Sequence, residues 1–165
     1  MKPIRIGDKV PCFSLPDQNG NMVNIMNFIG KKNLVIFFYP RDGSYGCTLE
    51  ACYFRDLSQT FEEVRAVVLG ISGQSVESHK EFSDLYHLDY PILSDEGNRV
   101  RRLFGVSSNI FGLIPGRATY VANMEGRIVY ILNSLSEPKR HVDEALKICL
   151  LLKKTDHSNH SASKV

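Results

Sequence analysis

Cys47 is the residue of this 165-residue chain whose neighbours best suit a nucleophile. The run Leu34–Tyr39 before it is β-branched and aromatic, and it is short enough to be a buried strand. Pro40 and Gly43 end that strand, and Ser44, a favourable N-cap residue, precedes a helical pattern. Cys47 is therefore predicted at a helix N-terminus, where free backbone N–H groups and the helix dipole favour a thiolate.

A second cysteine, Cys52, falls in the same predicted helix. Five residues correspond to a rotation of roughly 140° around a helix, so Cys47 and Cys52 are predicted on different faces. Phe54 and Phe61 follow Cys47 at intervals of seven, which indicates that Cys47 begins the stripe that faces the core. We expect its sulfur to point into a pocket rather than into open water.

The four cysteines (Cys12, Cys47, Cys52 and Cys149) admit two interpretations. They could form two structural disulfides, but the size of the domain and the lack of a secretion signal favour reduced thiols with one redox-active pair. Cys12 and Cys149 are predicted to be packed core residues. The sequence contains no Cys-x-x-Cys pair and no His-x-x-x-His cluster, so no metal site is predicted.

The composition is that of an ordinary globular protein, with 43% hydrophobic residues and a net charge of +2. This charge gives no case for a nucleic-acid or membrane partner. The longest apolar run has six residues and is too short to span a bilayer. The first residues lack the apolar core of a secretion signal, so we expect a cytoplasmic protein, although a transit peptide removed in an organelle would leave no trace.

The elements that must position Cys47 follow from hydrophobic periodicity and turn signals. We predict an N-terminal β-hairpin over residues 12–25 with its turn at Asn19-Gly20, and a helix that begins after Ser44, carries Cys47 near its start and ends near Val64. One domain is predicted over residues 1–153, followed by a disordered polar tail over 154–165. The other predicted strands and helices are Leu34–Tyr39, Ala66–Ser72, Ser75–Leu88, Pro91–Leu93, Glu96–Phe104, Arg117–Asn123, Arg127–Leu132 and Glu137–Lys153. This order predicts an α/β fold with a mixed sheet flanked by helices, in which the two helix-linked strands are parallel.

Several polar and apolar side chains have a structural interpretation that competes with a functional one. His79 and His87 are interpreted as surface or capping residues, and the arginines of Glu96–Phe104 as a solvated face. Four of the apolar residues in the loop 105–116 either cover the sheet edge and fill core, or form an apolar collar above Cys47 or a weak dimer contact. The arginines are Arg99, Arg101 and Arg102, and the apolar loop residues are Ile110, Phe111, Leu113 and Ile114.

The spacing Pro40-x-x-x-Ser44-x-x-Cys47 resembles the signature of the peroxiredoxins. A second cysteine five residues later resembles the peroxiredoxin Q, or bacterioferritin comigratory protein, branch. The similarity continues through GISGQSVESHKEF, LSDEGNRVRRLFGV and IPGRATYVANMEGRIV, covers about residues 5–150, and is greatest to cyanobacterial and plastid members. Within the motif, Tyr45 stands where most members have proline, and Ser44 replaces the commoner threonine but keeps a hydroxyl.

The resemblance implies a thioredoxin-like fold with an N-terminal hairpin extension, and it implies roles for the residues around Cys47. Arg117 matches the arginine that contacts the thiolate and the peroxide. Ser44 either donates a hydrogen bond to the peroxide or caps the helix, and Pro40 either shields the thiolate from water or only ends the strand. Glu50 either orients Arg117 or satisfies first-turn N–H groups, and the second interpretation is favoured.

The resemblance also implies a thiol-dependent peroxidase for hydrogen peroxide and alkyl hydroperoxides, an antioxidant enzyme without cofactor. Cys47 would become a sulfenic acid, form a disulfide with Cys52, and be recycled by thioredoxin. A monomer is expected, with a weak dimer as the alternative. Two other functions stay open: a thioredoxin-fold disulfide oxidoreductase, which the missing Cys-x-x-Cys disfavours, and a non-catalytic redox sensor.

Overall fold

The computed structural model describes residues 2–109 and 113–162. Its strands are β1 (Ser14–Pro16), β2 (Met22–Asn24), β3 (Asn33–Phe38), β4 (Ala66–Ser72), β5 (Ile92–Ser94), β6 (Ser108–Asn109), β7 (Ile114–Pro115), β8 (Ala118–Ala122) and β9 (Ile128–Asn133). Its α-helices are α1 (Tyr45–Asp56), α2 (Ser58–Glu63), α3 (Val76–Tyr86), α4 (Arg99–Phe104) and α5 (Pro138–Ala162).

Five strands form a mixed sheet in the order β5-β4-β3-β8-β9. β3 and β4 are parallel, as are β4 and β5, whereas β8 is antiparallel to both of its neighbours. The α/β class, the mixed sheet and the parallel pair β3–β4 are therefore confirmed. β1 and β2 form the predicted N-terminal hairpin, with Gly20 at a φ of 80° in its turn.

The alternating side chains of β3 divide the core between the two faces of the sheet. Val35 and Phe37 belong to a cluster that includes residues of α1, α3 and α5. Leu34, Ile36 and Phe38 belong to a second cluster with residues of α4 and the N-terminal segment. Every residue of β3 is buried, so the strand that leads to Cys47 is fixed on both of its faces.

Three details of the predicted elements are corrected. The helix expected to run from Cys47 to Val64 is broken at Leu57, which separates α1 from α2. Cys12 is exposed rather than packed, and Leu85, predicted among the apolar positions of its helix, is 69% exposed.

α5 continues to Ala162, past the predicted end at Lys153 and into the stretch for which the composition predicts disorder. Residues 154–162 contain neither glycine nor proline, so nothing in the backbone chemistry stops the helix. The Thr155 and Ser158 hydroxyls each donate to the carbonyl four residues earlier. Within residues 2–109 and 113–162, no helix combines the length and the apolar character that crossing a membrane requires.

Candidate active site

The register between β3 and β8 brings Arg117 to the end of the strand that leads into α1. Phe38, the last residue of β3, is opposite Ala118, the first residue of β8. Arg117 therefore lies beside the segment between β3 and α1, although it is 70 residues from Cys47 in sequence. This antiparallel pairing is long-range, which is why periodicity alone does not predict the contact.

Cys47 is the third residue of α1 and is 1% exposed. Arg117 Nη2 lies 3.5 Å from its Sγ atom, so a fixed positive charge and the helix N-terminus both act on the sulfur. Gly46 makes this approach possible, because a Cβ atom at that position would lie only 3.1 Å from Arg117 Nη2. The predicted orientation of Cys47 toward the interior agrees with its burial.

Glu50 bonds to Arg117 and lies beyond the first turn of α1, so the favoured interpretation of Glu50 as a capping residue is wrong. Its side chain is fully buried, and its Oε2 atom accepts a hydrogen bond from Arg117 Nη1. Burial raises the pKa of Glu50 to about 8, against the opposing effect of the Arg117 charge. A sequence signal existed: Glu50 follows Cys47 by three residues and precedes Phe54 by four, which places it on the core-facing side of α1.

His141, which the sequence analysis missed, lies behind Glu50. Its Nε2–H donates to the Ser134 carbonyl at 2.9 Å, because a carbonyl can only accept. Nδ1 therefore accepts from the Thr119 hydroxyl at 2.8 Å, and it lies 3.9 Å from Glu50 Oε1. Burial lowers the pKa of His141 to about 4, so the ring is neutral at pH 7. Its spacing of four from Ala145 could have revealed this position on the buried face of α5.

The segment between β3 and α1 holds the other residues of the motif. Ser44 is the N-cap of α1 by backbone position, but its hydroxyl makes no capping bond and donates to the Arg41 carbonyl at 3.3 Å. Pro40 is half-buried at the end of the strand, and Tyr45 is 82% exposed at the first position of the helix. The Ser44 hydroxyl is thus not committed to the helix and can turn toward a ligand.

Asp42 anchors this segment to α3. Its carboxylate accepts hydrogen bonds from the hydroxyls of Tyr39 and Ser78, at 2.6 and 2.8 Å, and from His79 Nδ1 at 2.7 Å. Burial tends to raise the pKa of Asp42, but the hydrogen bonds from His79 and Tyr39 outweigh it and hold the pKa below its ordinary value. The surface interpretation of His79 is wrong, since its side chain is fully buried. His87 does cap α3, in the left-handed conformation at its C-terminus.

Arg101 joins the two chain segments that flank the site. It donates from Nη1 to the Gly116 carbonyl at 2.7 Å and from Nη2 to the Tyr39 carbonyl at 2.8 Å. The side chain is buried, so the interpretation of Arg101 as part of a solvated face is wrong, whereas Arg102 is exposed. The residue was missed because a helix pattern shows which face is apolar but not which polar residue has buried partners.

All four cysteines are free thiols, and Cys47 and Cys52 both lie within α1. Cys52 is half-buried, and burial raises the pKa of its thiol. Cys149 is fully buried, as predicted, and burial raises its pKa to about 12, which makes it a poor nucleophile at pH 7.

Two further expectations concern the loop 105–116 and metal binding. Ile110 and Phe111 lie outside the described residues, so the apolar collar stays a prediction there. Leu113 and Ile114 are 79% and 39% exposed and do not fill core. Within the described part of the chain, no three His, Cys, Asp or Glu side chains are grouped so that they could hold a metal ion.

Comparison with known proteins gives a consistent result. The model of the AhpC/TSA family matches residues 6–131. The chain is 46% identical to the chloroplastic peroxiredoxin Q of Sedum lineare over 147 residues, which are 89% of this chain and 78% of that protein. It is 46% identical to the chloroplastic peroxiredoxin Q of Arabidopsis thaliana, covering 86% of this chain and 65% of that one, so it spans about two thirds of that relative's length. The crystal structure of peroxidoxin BcpB from Mycobacterium tuberculosis superposes with a TM-score of 0.83 at 35% identity, covering 90% and 97% of the two chains.

Proposed function

This chain belongs to the AhpC/TSA family and is a peroxiredoxin of the Q type, a thiol-dependent peroxidase, and we propose that Cys47 is the residue that attacks the peroxide. One observation carries the assignment: among the four free thiols, Cys47 is the one that combines the first turn of a helix with a guanidinium nitrogen at 3.5 Å. A thiolate is the nucleophile in peroxide reduction, and both features stabilise it.

In the first step, the Cys47 thiolate attacks one oxygen of the hydroperoxide. An S–O bond forms, the O–O bond breaks, and the second oxygen leaves as hydroxide or alkoxide, which takes up a proton. Arg117 stabilises the thiolate and the charge that develops on the leaving oxygen, while Glu50 holds the guanidinium in place. Ser44 donates a hydrogen bond to the peroxide, and Pro40 excludes water from the sulfur. Tyr45, at the exposed start of α1, is proposed to lie near the path by which the peroxide reaches Cys47.

In the second step, Cys52 attacks the Cys47 sulfenic acid, releases water and forms an intramolecular disulfide. Two residues five apart in an ideal helix have Cα atoms about 8.7 Å apart, from the rise, rotation and radius of a helix. A disulfide needs about 4.4–6.8 Å. Because Cys47 and Cys52 both lie within α1, the start of this helix must unwind for the bond to form.

The substrates we propose are hydrogen peroxide and small alkyl hydroperoxides, and the reductant is a thioredoxin or a similar dithiol protein. The relatives named peroxiredoxin Q support this choice. The protein acts as a monomer, with a weak dimer as the alternative assembly. Its compartment is the cytoplasm or, as the names of the plant relatives suggest, an organelle.

The test is peroxide consumption coupled to thioredoxin, thioredoxin reductase and NADPH. Wild type should turn over hydrogen peroxide, Cys47→Ser should abolish turnover, and Cys12→Ser and Cys149→Ser should keep most of it. Turnover by Cys47→Ser would overturn the assignment. Insulin reduction without peroxide turnover would instead identify a disulfide oxidoreductase, and disulfide formation without turnover would identify a redox sensor.

A further inference from the structure

Arg55 places a guanidinium beside Cys52. Its Nη1 atom lies 3.7 Å from Cys52 Sγ, within the range of a hydrogen bond to sulfur. The same nitrogen donates to the Tyr86 carbonyl at 2.6 Å, and the Nε and Nη2 atoms donate to Asp56 Oδ1 at 3.0 and 2.8 Å. Tyr86 belongs to α3, so the guanidinium is held by a neighbouring helix as well as by its own.

The half of α1 that carries Cys52 is held to the protein separately from the half that carries Cys47. The Tyr90 hydroxyl donates to the Ala51 carbonyl at 2.7 Å, and the Tyr53 hydroxyl donates to Asp143 at 2.7 Å. These bonds, with that from Arg55 to α3, do not depend on the first turns of the helix. If the N-terminal turns unwound and Cys47 moved, these contacts would keep the positive charge beside Cys52.

The charge has a consequence for the Cys52 thiol. Burial raises the pKa of this thiol, and the Arg55 guanidinium opposes the increase, whereas Asp56 adds to it. Without Arg55, a smaller fraction of Cys52 would be thiolate at pH 7. The thiolate is the form that attacks a sulfenic acid, and it is also the form in which Cys52 leaves when the disulfide is reduced.

We propose that Arg55 is a catalytic residue for the disulfide half of the cycle, in which its guanidinium stabilises the Cys52 thiolate. This inference rests on the proposed function, which gives Cys52 the resolving role. In the forward step, the Cys52 thiolate attacks the sulfur of the Cys47 sulfenic acid. The S–S bond forms, the S–O bond breaks, and hydroxide leaves and is protonated to water.

In the reductive step, a thiolate of the external dithiol attacks the Cys47 sulfur. The S–S bond to Cys52 breaks, and Cys52 departs as a thiolate beside Arg55. The second thiol of the reductant then displaces the Cys47 thiolate, and the reductant leaves as its disulfide. Arg55 thus stabilises the Cys52 sulfur in both directions. Cys52 is the nucleophile when the disulfide forms and the leaving group when the disulfide is reduced.

Rapid mixing with hydrogen peroxide, acid quench and mass spectrometry separates the two steps, because sulfenic acid and disulfide differ in mass. Arg55→Gln should leave sulfenic acid formation at Cys47 unchanged, slow disulfide formation about threefold to tenfold at pH 7, and move the pH profile of that step to higher pH. Arg55→Lys keeps the charge and should retain most of the rate. Arg127→Gln is the matched control, since Arg127 also donates from Nη1 to a backbone carbonyl, that of Gly7, at 3.1 Å.

Disulfide formation by Arg55→Gln with the wild-type rate and pH profile would overturn the role of Arg55 and leave the proposed function standing. An equal slowing of both steps that Arg55→Lys does not rescue would also overturn it, since that result indicates a packing defect. A Cys52→Ser variant that still forms the intramolecular disulfide would overturn the resolving role of Cys52 itself, and with it the inference on Arg55.

Discussion

The Nδ1 atom of His141 lies 3.9 Å from Oε1 of Glu50, and both side chains are fully buried. Burial favours the neutral form of each group, but it acts in opposite directions on the two pKa values. The pKa of Glu50 is raised from its ordinary 4.5 to about 8, and that of His141 is lowered from its ordinary 6.5 to about 4. The pair behind Arg117 therefore couples folding to pH in two opposing ways.

The free energy of unfolding should show the contribution of His141 between pH 6.5 and pH 4. In this range the unfolded chain binds a proton at His141 that the folded protein does not bind, so stability falls as the pH falls. The difference in stability between wild type and His141→Gln should thus decrease by up to about 3 kcal/mol from pH 6.5 to pH 4. Urea unfolding followed by circular dichroism measures it, and a difference that stays constant over the range would contradict the burial of a neutral His141.

Glu50 has the opposite effect on the free energy of unfolding, over a pH range that overlaps the range of His141. As the pH rises from 4.5 to 8, the unfolded chain loses a proton that the folded protein keeps on Glu50, so stability falls with rising pH. Between pH 4.5 and 6.5 the two effects oppose each other in wild type. His141→Gln should therefore lose stability with rising pH over this range more steeply than wild type does.

Replacing Arg117 tests the charge beside Cys47. Arg117→Met should slow the reaction of Cys47 with hydrogen peroxide by roughly 10²-fold or more, because the cation stabilises both the thiolate and the leaving oxygen. Stopped-flow measurement of the second-order rate constant is the assay, and Arg127→Met serves as a control, because Arg127 precedes β9 at the opposite end of the β8–β9 pair from Arg117. An unchanged rate in Arg117→Met would remove this residue from the site.

Tyr45→Pro should stabilise the reduced protein by about 0.4–1 kcal/mol. Tyr45 is the first residue of α1, a position that proline favours, and it is largely exposed. Ser44 before it has φ −70° and ψ 150°, a conformation that a following proline accepts. Thermal unfolding of the reduced forms gives the comparison; a lower melting temperature for the variant would mean that the tyrosine ring or its N–H supports this turn.

Oxidation should remove the first turns of α1. Amide hydrogen exchange over residues 45–56 should be slow in the reduced protein, and in the disulfide form it should become much faster over the first turns of α1, because the bond cannot form across an intact helix. Exchange over β3 should be equal in the two forms and serves as the internal control. Equal protection of 45–56 in a sample shown by mass spectrometry to contain the Cys47–Cys52 bond would disprove unwinding, and a bond from Cys47 to Cys12 or Cys149 would disprove the choice of Cys52.

The sequence predicts those parts of the fold that depend on local patterns. The buried strands, the hairpin and the helix start at Cys47 follow from periodicity and turn residues, and Arg117 follows from the family resemblance. The buried polar partners are harder to predict. Glu50, His79, Arg101 and His141 each bond to an element distant in sequence, and only tertiary packing determines which one. Their spacing from apolar neighbours marks a buried face, but a buried face does not reveal the partner.

Arg101 links two parts of the chain that lie outside α1. By bonding the carbonyls of Tyr39 and Gly116, it fixes the distance between the end of β3 and the segment that carries Arg117, whatever the state of α1. Chemistry and shape change can then be confined to a few turns of one helix. In the proposed cycle, each reduction would return this helix to the same surroundings, so only a short segment would have to refold in each turnover.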